Sequence, residues 1–285
     1  MSLIERAAAQ IAGKPTPTGM VVPSLNPAAP LTAAPLPGDL GKSAGDVRVT
    51  REVVIDRGRL ASNGIALPSS ERSKAIEEYR IVKQGVIRNA IADPQRGRLI
   101  MVTSARPREG KTFTSLNLAF SIASEQDMRV LVIDCDVHRQ TLMDTLGVKA
   151  QKGLFDLLTD ETLDLADVLL RTNIGNLTVL PAGKSGLLAP ELLSSHRMSD
   201  LMDEMVRRYP DRFIILDAPP CLATSDPSVL ARLVGQVIFV VEANRTQEPE
   251  IAASLRLISS CPTIGLVLNK TLGAASDQFG SYSYY

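Results

Sequence analysis

A short run of residues has the composition and spacing of a loop that binds phosphate groups. From Ala105 to Thr112 the chain reads Ala-Arg-Pro-Arg-Glu-Gly-Lys-Thr, directly after the apolar run Leu99–Val102 and before a helical pattern. Backbone N–H groups of such a loop and of the following helix point at phosphates. Gly110 permits close approach of the backbone, the Lys111 ammonium reaches the terminal phosphates, and the Thr112 hydroxyl can bind Mg²⁺. The run therefore predicts a nucleoside triphosphate site.

Acidic residues end two further apolar runs. Asp134 and Asp136 follow Val130–Ile133, and Asp217 follows Phe213–Leu216. In a parallel sheet both run ends lie at the same edge as the phosphate loop. Three carboxylates beside a triphosphate are costly unless a cation joins them, so the pattern predicts Mg²⁺. Asp217 is expected to hold the metal directly or through water, and one of the other two acids to orient or deprotonate an attacking hydroxyl.

Tyrosines are concentrated at the C-terminus. The chain has only five tyrosines in 285 residues, and three of them are Tyr282, Tyr284 and Tyr285. The stretch before them, 273–281, consists mostly of small and polar residues, which predicts a mobile tail. Such a tail fits a substrate. Aromatic packing against the domain, or a merely adhesive tail, is the alternative.

The elements that position these residues follow a strand–helix alternation. The apolar runs are mostly continuous, as in buried parallel strands, and helical patterns separate them. That order predicts an α/β fold with a doubly wound, mostly parallel sheet that binds ligands at the carboxyl ends of its strands. The expected strands are 99–102, 130–133, 177–180, 213–216, 237–241 and 265–268. The expected helices are 70–92, 112–124, 190–209 and 248–259.

The N-terminal part has a different composition. Residues 1–78 contain no Phe, Trp or Tyr, and seven of the eighteen prolines lie between Pro15 and Pro37. Such a segment buries too little apolar surface to offset its ordering entropy, so we expect a flexible linker over about 12–45. Helical spacing over 2–12 fits either a frayed terminus or a docking peptide, and a short strand is possible over 47–55. The expected organisation is an extension over 1–69, a catalytic domain over 70–270 and a flexible tail over 271–285.

Composition excludes several classes of function. Lys plus Arg and Asp plus Glu both number 31, so no net positive field favours nucleic acid. Two histidines are too few for a His-rich metal site, and the three cysteines lack zinc-type spacing. No apolar run approaches the ~18 residues of a membrane-spanning helix, and the N-terminus does not resemble a signal peptide.

On these motifs the chain resembles the bacterial tyrosine kinases (BY-kinases) of exopolysaccharide synthesis, which belong to the MinD/ParA-like P-loop ATPases. More narrowly, it looks like the autokinase encoded with exosortase-linked polysaccharide loci. The resemblance covers about Ile55 to Asn269 and the tyrosine tail. It implies that ATP is bound by Ala105, Arg106, Pro107, Arg108, Glu109, Gly110, Lys111, Thr112, Phe113 and Asn269.

The resemblance also implies a mechanism. Lys111, Asp134, Asp136 and Asp217 are the implied catalytic residues, and Thr112, Asp136 and Asp217 organise Mg²⁺. Asp134 is the best candidate for aligning the tyrosyl hydroxyl. The expected activity is autophosphorylation of Tyr282, Tyr284 and Tyr285 in trans within a homo-oligomer, which regulates exopolysaccharide polymerisation and export.

A further implication concerns assembly. Glu77, Arg80 and Lys83 lie where the family carries a Glu-x-x-Arg-x-x-Arg helix that contacts a neighbouring subunit, although Lys83 replaces an Arg. On sequence alone this charged helix reads equally well as a solvated face. The implied partners are a membrane chain-length determinant protein that activates the kinase and a phosphotyrosine phosphatase. The expected location is cytoplasmic, at the inner membrane through the partner.

Two rival functions remain open. A MinD/ParA-type ATPase switch would hydrolyse ATP without phosphorylating tyrosine, although that class usually has a lysine where this chain has Arg106. A non-catalytic adaptor would bind nucleotide only to hold its own shape, without any reaction. The presence of Lys111 and three aspartates disfavours this function.

Overall fold

The computed structural model describes residues 51–65, 67, 74–137, 139, 141–150, 152–184 and 189–271, which lie within the compact unit Thr50–Tyr285. The predicted N-terminal helix and linker, and the tyrosine tail with Tyr282, Tyr284 and Tyr285, lie outside the described residues. In the described part, no helix combines the length and apolarity needed to cross a membrane.

Eight strands form one sheet in the order β1-β4-β5-β3-β6-β2-β7-β8. The six strands from β5 to β8 in this order pair in parallel, whereas β4 is antiparallel to β5 and carries β1 at the edge. This confirms the predicted doubly wound, mostly parallel sheet. The strands are β1 Arg51–Val53, β2 Leu99–Ser104, β3 Arg129–Asp134, β4 Leu170–Thr172, β5 Leu177–Leu180, β6 Arg212–Asp217, β7 Gln236–Glu242 and β8 Thr263–Asn269.

Helices cover both faces of the sheet. The predicted helix over 190–209 is wrong in one respect, because it is divided between Leu193 and His196. Ser195 caps the second part by accepting a hydrogen bond from Met198 N at 3.2 Å, and this cap starts a new helix. The helices are Arg57–Ser62, Lys74–Ala92, Lys111–Ala123, Thr141–Leu146, Leu154–Thr159, Leu165–Val168, Ala189–Leu193, His196–Arg208, Asp226–Leu230 and Glu248–Leu257.

The core has two layers because successive strand residues point to opposite faces. In β2, Leu99 and Met101 pack into one apolar cluster, while Ile100 and Val102 pack into the other. The helix Lys111–Ala123 is buried along most of its length in the second layer. This burial fixes its N-terminus, where the phosphate loop ends.

The domain extends further toward the N-terminus than residue 70. Ile55, Leu60 and Ile65 are buried in the same cluster as the helix Lys111–Ala123. Asn173 joins this segment to the sheet, since its side-chain oxygen accepts a hydrogen bond from Ile55 N at 2.9 Å. The segment is therefore part of the packed domain.

Candidate active site

The phosphate loop connects the buried end of β2 to the helix Lys111–Ala123. Gly110 caps this helix with a φ of 103°, a left-handed conformation that favours glycine. A Cβ at this position would also collide with the side-chain amide of Asn269. That amide donates a hydrogen bond to the Glu109 carbonyl oxygen at 2.9 Å. Asn269, at the end of β8, thus supports the loop at its tightest point.

Side chains from outside the loop fix its shape. The buried Glu109 carboxylate accepts a hydrogen bond from Arg106 N at 2.8 Å and another from the Thr246 hydroxyl. Lys270 Nζ donates to the Arg108 carbonyl oxygen at 2.7 Å, where the Arg108 φ is 69°. Since these contacts hold the backbone before any ligand binds, the N–H groups need little reorganisation to meet phosphates.

Asp217 lies directly behind the loop at the end of β6. Its two carboxylate oxygens accept hydrogen bonds from the Thr112 hydroxyl at 2.7 Å and the Ser115 hydroxyl at 3.0 Å. Burial raises the pKa of Asp217 to about 6, and the Thr112 bond and the Lys111 charge oppose that rise. Asp217 therefore orients the hydroxyl that the sequence assigned to the metal.

Asp134 pairs with Asp217 in the strand register and is almost fully buried. One of its oxygens accepts from Asp136 N at 3.1 Å, and the other has no hydrogen-bond partner among the described residues. Burial first, and the Asp217 charge second, raise the pKa of Asp134 well above its ordinary value. Two poorly solvated carboxyl groups thus lie next to each other at this edge of the sheet.

A cation would stabilise the charged forms of these carboxyl groups, so the site fits Mg²⁺ bound together with a nucleotide. Within the described residues, no group of three or more His, Cys, Asp or Glu side chains is arranged to hold a metal by itself. Mg²⁺ usually keeps several waters and binds one or two carboxylates plus substrate phosphates. Thr112, Asp136 and Asp217 are suited to that mode because they supply one hydroxyl and two carboxylates beside the phosphate loop.

A cavity of about 560 Å³ opens in front of the loop. It has the size of a site for one small molecule. Asp136 lines it, whereas Asp134 does not. The predicted ATP-binding residues that line it are Pro107, Arg108, Gly110, Lys111, Thr112 and Phe113.

The remaining predicted ATP-binding residues support the loop from behind. Ala105 and Glu109 are buried, and the Arg106 guanidinium forms an ion pair with Glu250. Asn269 contacts the loop backbone, as described above. These residues therefore shape the site without forming the cavity wall.

Sequence reasoning missed part of the cavity wall. Asn63 and Ile65 line it from the segment before the helix Lys74–Ala92, and Thr145 lines it from the helix Thr141–Leu146. The sequence held one signal for the first pair, since Asn63-Gly64 is a dipeptide typical of turns. The structure agrees with that signal, because Gly64 has a φ of 72°. No local pattern pointed to Thr145.

The helix Lys74–Ala92 presents its charged residues in two directions. Glu77 and Arg80 are exposed and form an ion pair at 2.6 Å. Lys83 points inward, donates to the Ser121 carbonyl oxygen at 3.3 Å and forms an ion pair with Glu125. Glu77 and Arg80 are thus exposed, whereas the Lys83 ammonium is bound within the chain. The subunit contact expected for these residues stays a prediction.

A buried tyrosine joins the same helix to the phosphate-loop helix. The Tyr79 hydroxyl donates to Thr114 Oγ1 at 3.2 Å, and the Tyr79 ring meets the Phe113 ring edge-on at 6.1 Å between centroids. Burial raises the pKa of Tyr79 to about 12, so its hydroxyl stays protonated. The sequence analysis did not single out this contact, which links the possible subunit-contact helix to a residue of the cavity wall.

Comparison with known proteins identifies the family. The model of the AAA domain family matches residues 97–246, more than half of the chain. The chain belongs to the AAA domain family. This AAA domain protein is 29% identical over 229 residues to the tyrosine-protein kinase YwqD of Bacillus subtilis, and covers 92% of that protein. It is 32% identical over 181 residues to the tyrosine-protein kinase ptk of Acinetobacter johnsonii, of which it spans 24%.

Among solved structures, this AAA domain protein is similar to the kinase domain of the Escherichia coli tyrosine kinase ETK. The TM-score is 0.64 and the identity 27%, over 84% of this chain and 99% of that domain. The resemblance to bacterial tyrosine kinases is therefore confirmed, as is the predicted fold. Membership of an ATPase family also supports ATP as the nucleotide of the phosphate loop.

Proposed function

We propose that this protein is a tyrosine autokinase that transfers the γ-phosphoryl group of ATP to Tyr282, Tyr284 and Tyr285 of a second copy. The main support is the cavity of about 560 Å³, which is lined both by phosphate-loop residues and by Asp136. A site for triphosphate and a carboxylate for a hydroxyl nucleophile are the two parts that such a transfer needs. The likeness to the ETK kinase domain supports the same reaction.

Lys111 and the N-terminus of the helix Lys111–Ala123 bind the phosphates and stabilise the negative charge that develops during transfer. Thr112 and Asp217 would hold Mg²⁺, which would supply positive charge beside the phosphates. Asp136, also predicted as a metal ligand, is assigned to the tyrosyl hydroxyl instead. Asp217 keeps the Thr112 hydroxyl turned toward the metal site through the 2.7 Å hydrogen bond. These residues position the γ-phosphoryl group for attack.

We assign alignment of the tyrosyl hydroxyl to Asp136 rather than Asp134, because Asp136 lines the cavity and Asp134 is buried behind it. The tyrosyl oxygen bonds to the γ-phosphorus as the bond to the β,γ-bridging oxygen breaks. The hydroxyl proton passes to the Asp136 carboxylate, and ADP is released. A general base of this kind typically contributes 10²–10⁴-fold to a rate.

The tail is supplied by a neighbouring copy in this proposal, and Glu77 and Arg80 help to hold the copies together. A membrane chain-length determinant protein activates the kinase, and a phosphotyrosine phosphatase reverses the reaction. The protein works in the cytoplasm, at the inner membrane through that partner. In this setting, tail phosphorylation regulates polymerisation and export of an exopolysaccharide.

The test is incubation of the purified chain with ATP and Mg²⁺, with and without the cytoplasmic segment of the membrane partner. Phosphate is then mapped by mass spectrometry, with Lys111→Met as the matched control. The proposal expects phosphate on the three tail tyrosines in the parent chain and none in the control. ATP turnover with an unmodified tail would favour the MinD/ParA-type switch instead.

A further inference from the structure

A second cavity, of about 800 Å³, lies at the opposite edge of the sheet from the phosphate loop. Leu99 and Arg212, which begin β2 and β6, line it, so it lies at the amino ends of parallel strands. Ile87 and Met128 contribute apolar surface. Nothing in the proposed reaction uses this groove, which we call the basal groove.

Two arginines, Arg98 and Arg212, line the basal groove together with two carboxylates, Asp127 and Asp211. The Arg212 guanidinium stacks on the Tyr209 ring at 4.2 Å from its centroid, and the Arg98 guanidinium lies 5.9 Å from the centroid of Phe213. In the part of the chain that the structure describes, neither arginine forms an ion pair, and the buried Nε of Arg212 has no hydrogen-bond partner. Stacking on Tyr209 holds the Arg212 guanidinium in place, and the exposed Arg98 guanidinium can donate hydrogen bonds to an anion in the groove.

Burial and the neighbouring positive charges disfavour the charged form of Arg212, which a bound anion would stabilise. Burial lowers the pKa of Arg212. Interactions with Tyr209 and Asp211 oppose this shift, and the charges of Arg129 and Arg171 lower the pKa further. The Asp211 carboxylate is already paired with Arg129 at 3.5 Å. A ligand anion would therefore supply a hydrogen-bonding partner that the described residues do not.

The lining defines the chemistry of the ligand. A guanidinium binds phosphate through a planar, bidentate fork, and Arg clusters are a common mode of phosphate recognition. The apolar and aromatic surface of the groove suits a flat hydrocarbon ring beside that phosphate. Of the two carboxylates that line the groove, Asp211 is paired with Arg129, whereas Asp127 has no ion pair among the described residues, so we expect the phosphate at Arg98 and Arg212 rather than beside Asp127. An aryl phosphate combines both features.

We propose that the basal groove binds the C-terminal segment of this chain after its tyrosines are phosphorylated. The inference rests on the proposed function, which supplies phosphotyrosine at Tyr282, Tyr284 and Tyr285. The tail follows β8, whose seven residues cover about 23 Å at ~3.3 Å per residue. Residues 272–282 can extend to about 36 Å. The groove also lies two to three strands to the side of β8, which adds about 10–14 Å at ~4.8 Å per strand. The diagonal across the sheet is then about 27 Å, which the extended segment can span.

Docking of this kind removes the product from the catalytic edge of the sheet. An unphosphorylated tail lacks the anion and stays available to a neighbouring active site. A phosphorylated tail, with about −1.5 to −2 charges per phosphate near neutral pH, is retained by Arg98 and Arg212. The groove would thus separate finished tails from tails that still await phosphate.

The test uses synthetic peptides of residues 276–285, so it does not depend on kinase activity. Peptides with three phosphotyrosines and with none are titrated into the full, unphosphorylated chain without ATP, and binding is measured by calorimetry. We expect the phosphopeptide to bind at least tenfold more tightly. Equal affinity for the two peptides would overturn the proposal.

Matched variants locate the binding surface. Arg98→Gln and Arg212→Gln should each weaken phosphopeptide binding at least tenfold, whereas Arg207→Gln, an exposed arginine outside the groove, should not. Arg98 is exposed, so its substitution tests the groove even if Arg212→Gln destabilises the fold. Unchanged affinity in Arg98→Gln would overturn the assignment.

A separate experiment tests whether the tail binds the basal groove of its own copy. A chain carrying phosphotyrosine at its tail, prepared by semisynthesis, should bind added phosphopeptide at least tenfold more weakly, because its own tail occupies the groove. An affinity equal to that of the unphosphorylated chain would overturn docking within the same copy. Failure of the kinase assay would leave all of these peptide results unaffected.

Discussion

The Thr112 hydroxyl donates a hydrogen bond to Asp217 Oδ2 at 2.7 Å, so a residue of the phosphate loop is joined directly to the end of β6. This contact presets the hydroxyl that would bind Mg²⁺. The bond opposes only part of the effect of burial, which raises the pKa of Asp217 to about 6. The arrangement holds a carboxylate where solvation is poor, which costs stability until the nucleotide and metal bind.

We expect Asp217→Asn to raise the stability of the nucleotide-free protein at pH 7 while reducing phosphate transfer at least 100-fold. Between pH 4 and 6 the native Asp217 binds a proton that the unfolded chain has released, so its contribution to stability falls as pH rises through this range. A pKa change of this size corresponds to about 3 kcal/mol. Denaturant unfolding at several pH values should show that the free energy of unfolding depends less steeply on pH in Asp217→Asn than in the parent chain.

The control for this prediction is Asp127→Asn, which changes an exposed carboxylate and should keep the pH dependence of the parent. An Asp217→Asn protein that is less stable than the parent at pH 7 would contradict the account. That result would mean that the two hydroxyl bonds outweigh the cost of burying the charge.

The two aspartates after β3 should differ in effect. Asp136→Asn should reduce phosphate transfer about 10²–10⁴-fold, because this carboxylate lines the cavity and is assigned to the tyrosyl hydroxyl. Asp134→Asn should retain at least a tenth of the transfer rate, since Asp134 lies behind the wall. ATP affinity and transfer are measured separately, so that loss of metal–nucleotide binding is distinguished from loss of the base. The reverse order of effects would return the alignment role to Asp134.

Motifs with local spacing could be predicted from the sequence. The loop from Ala105 to Thr112 and the acids after β3 and β6 are read from neighbouring residues, because strand, loop and helix follow one another along the chain. The parallel order of the central strands followed from their continuous apolar runs. These features fixed the edge at which the site forms.

Contacts between distant residues could not be predicted in this way. Glu109 and Asn269 are 160 positions apart, and Glu109 and Thr246 are 137 apart, yet both pairs hold the phosphate loop. The inward turn of Lys83 depends on Glu125, which lies on another segment. Such partners depend on how helices pack on the sheet, and no local pattern encodes that packing.

Removing the Tyr79 hydroxyl should lower the free energy of unfolding by about 1 kcal/mol. Tyr79→Phe keeps the ring against Phe113 but leaves Thr114 without its partner, and a typical buried hydrogen bond contributes about 0.5–1.5 kcal/mol. Tyr209→Phe is the matched control, because the Tyr209 hydroxyl makes no hydrogen bond among the described residues, and Arg212 stacks on its ring. Equal effects of the two substitutions in denaturant titrations would contradict the assigned contact.

Substitutions of Lys83 and Arg80 should have different effects, one on the stability of the chain and the other on its self-association. Lys83→Met removes a partly buried ion pair with Glu125 and a hydrogen bond to a backbone carbonyl, so it should destabilise the chain by about 1–3 kcal/mol. Arg80→Gln changes only an exposed ion pair and should alter stability by less than about 0.5 kcal/mol.

Analytical ultracentrifugation measures the self-association of the same two variants. Arg80→Gln should weaken self-association, whereas Lys83→Met should leave the assembly size of the folded fraction unchanged. Weakened assembly in Lys83→Met alone would contradict the inward role of this residue and support the original expectation for it.

The central claim is transfer of phosphate from the site of one copy to the tail of another, and a mixing experiment tests it most directly. The Lys111→Met chain, with an intact tail, is mixed with a chain carrying Phe in place of Tyr282, Tyr284 and Tyr285, in the presence of ATP, Mg²⁺ and the partner segment. The account predicts phosphate on the tail tyrosines of the Lys111→Met chain, which cannot modify itself. An unmodified tail in that mixture, while the parent chain becomes phosphorylated alone, would contradict transfer between copies; no phosphate in either sample would contradict the kinase assignment itself.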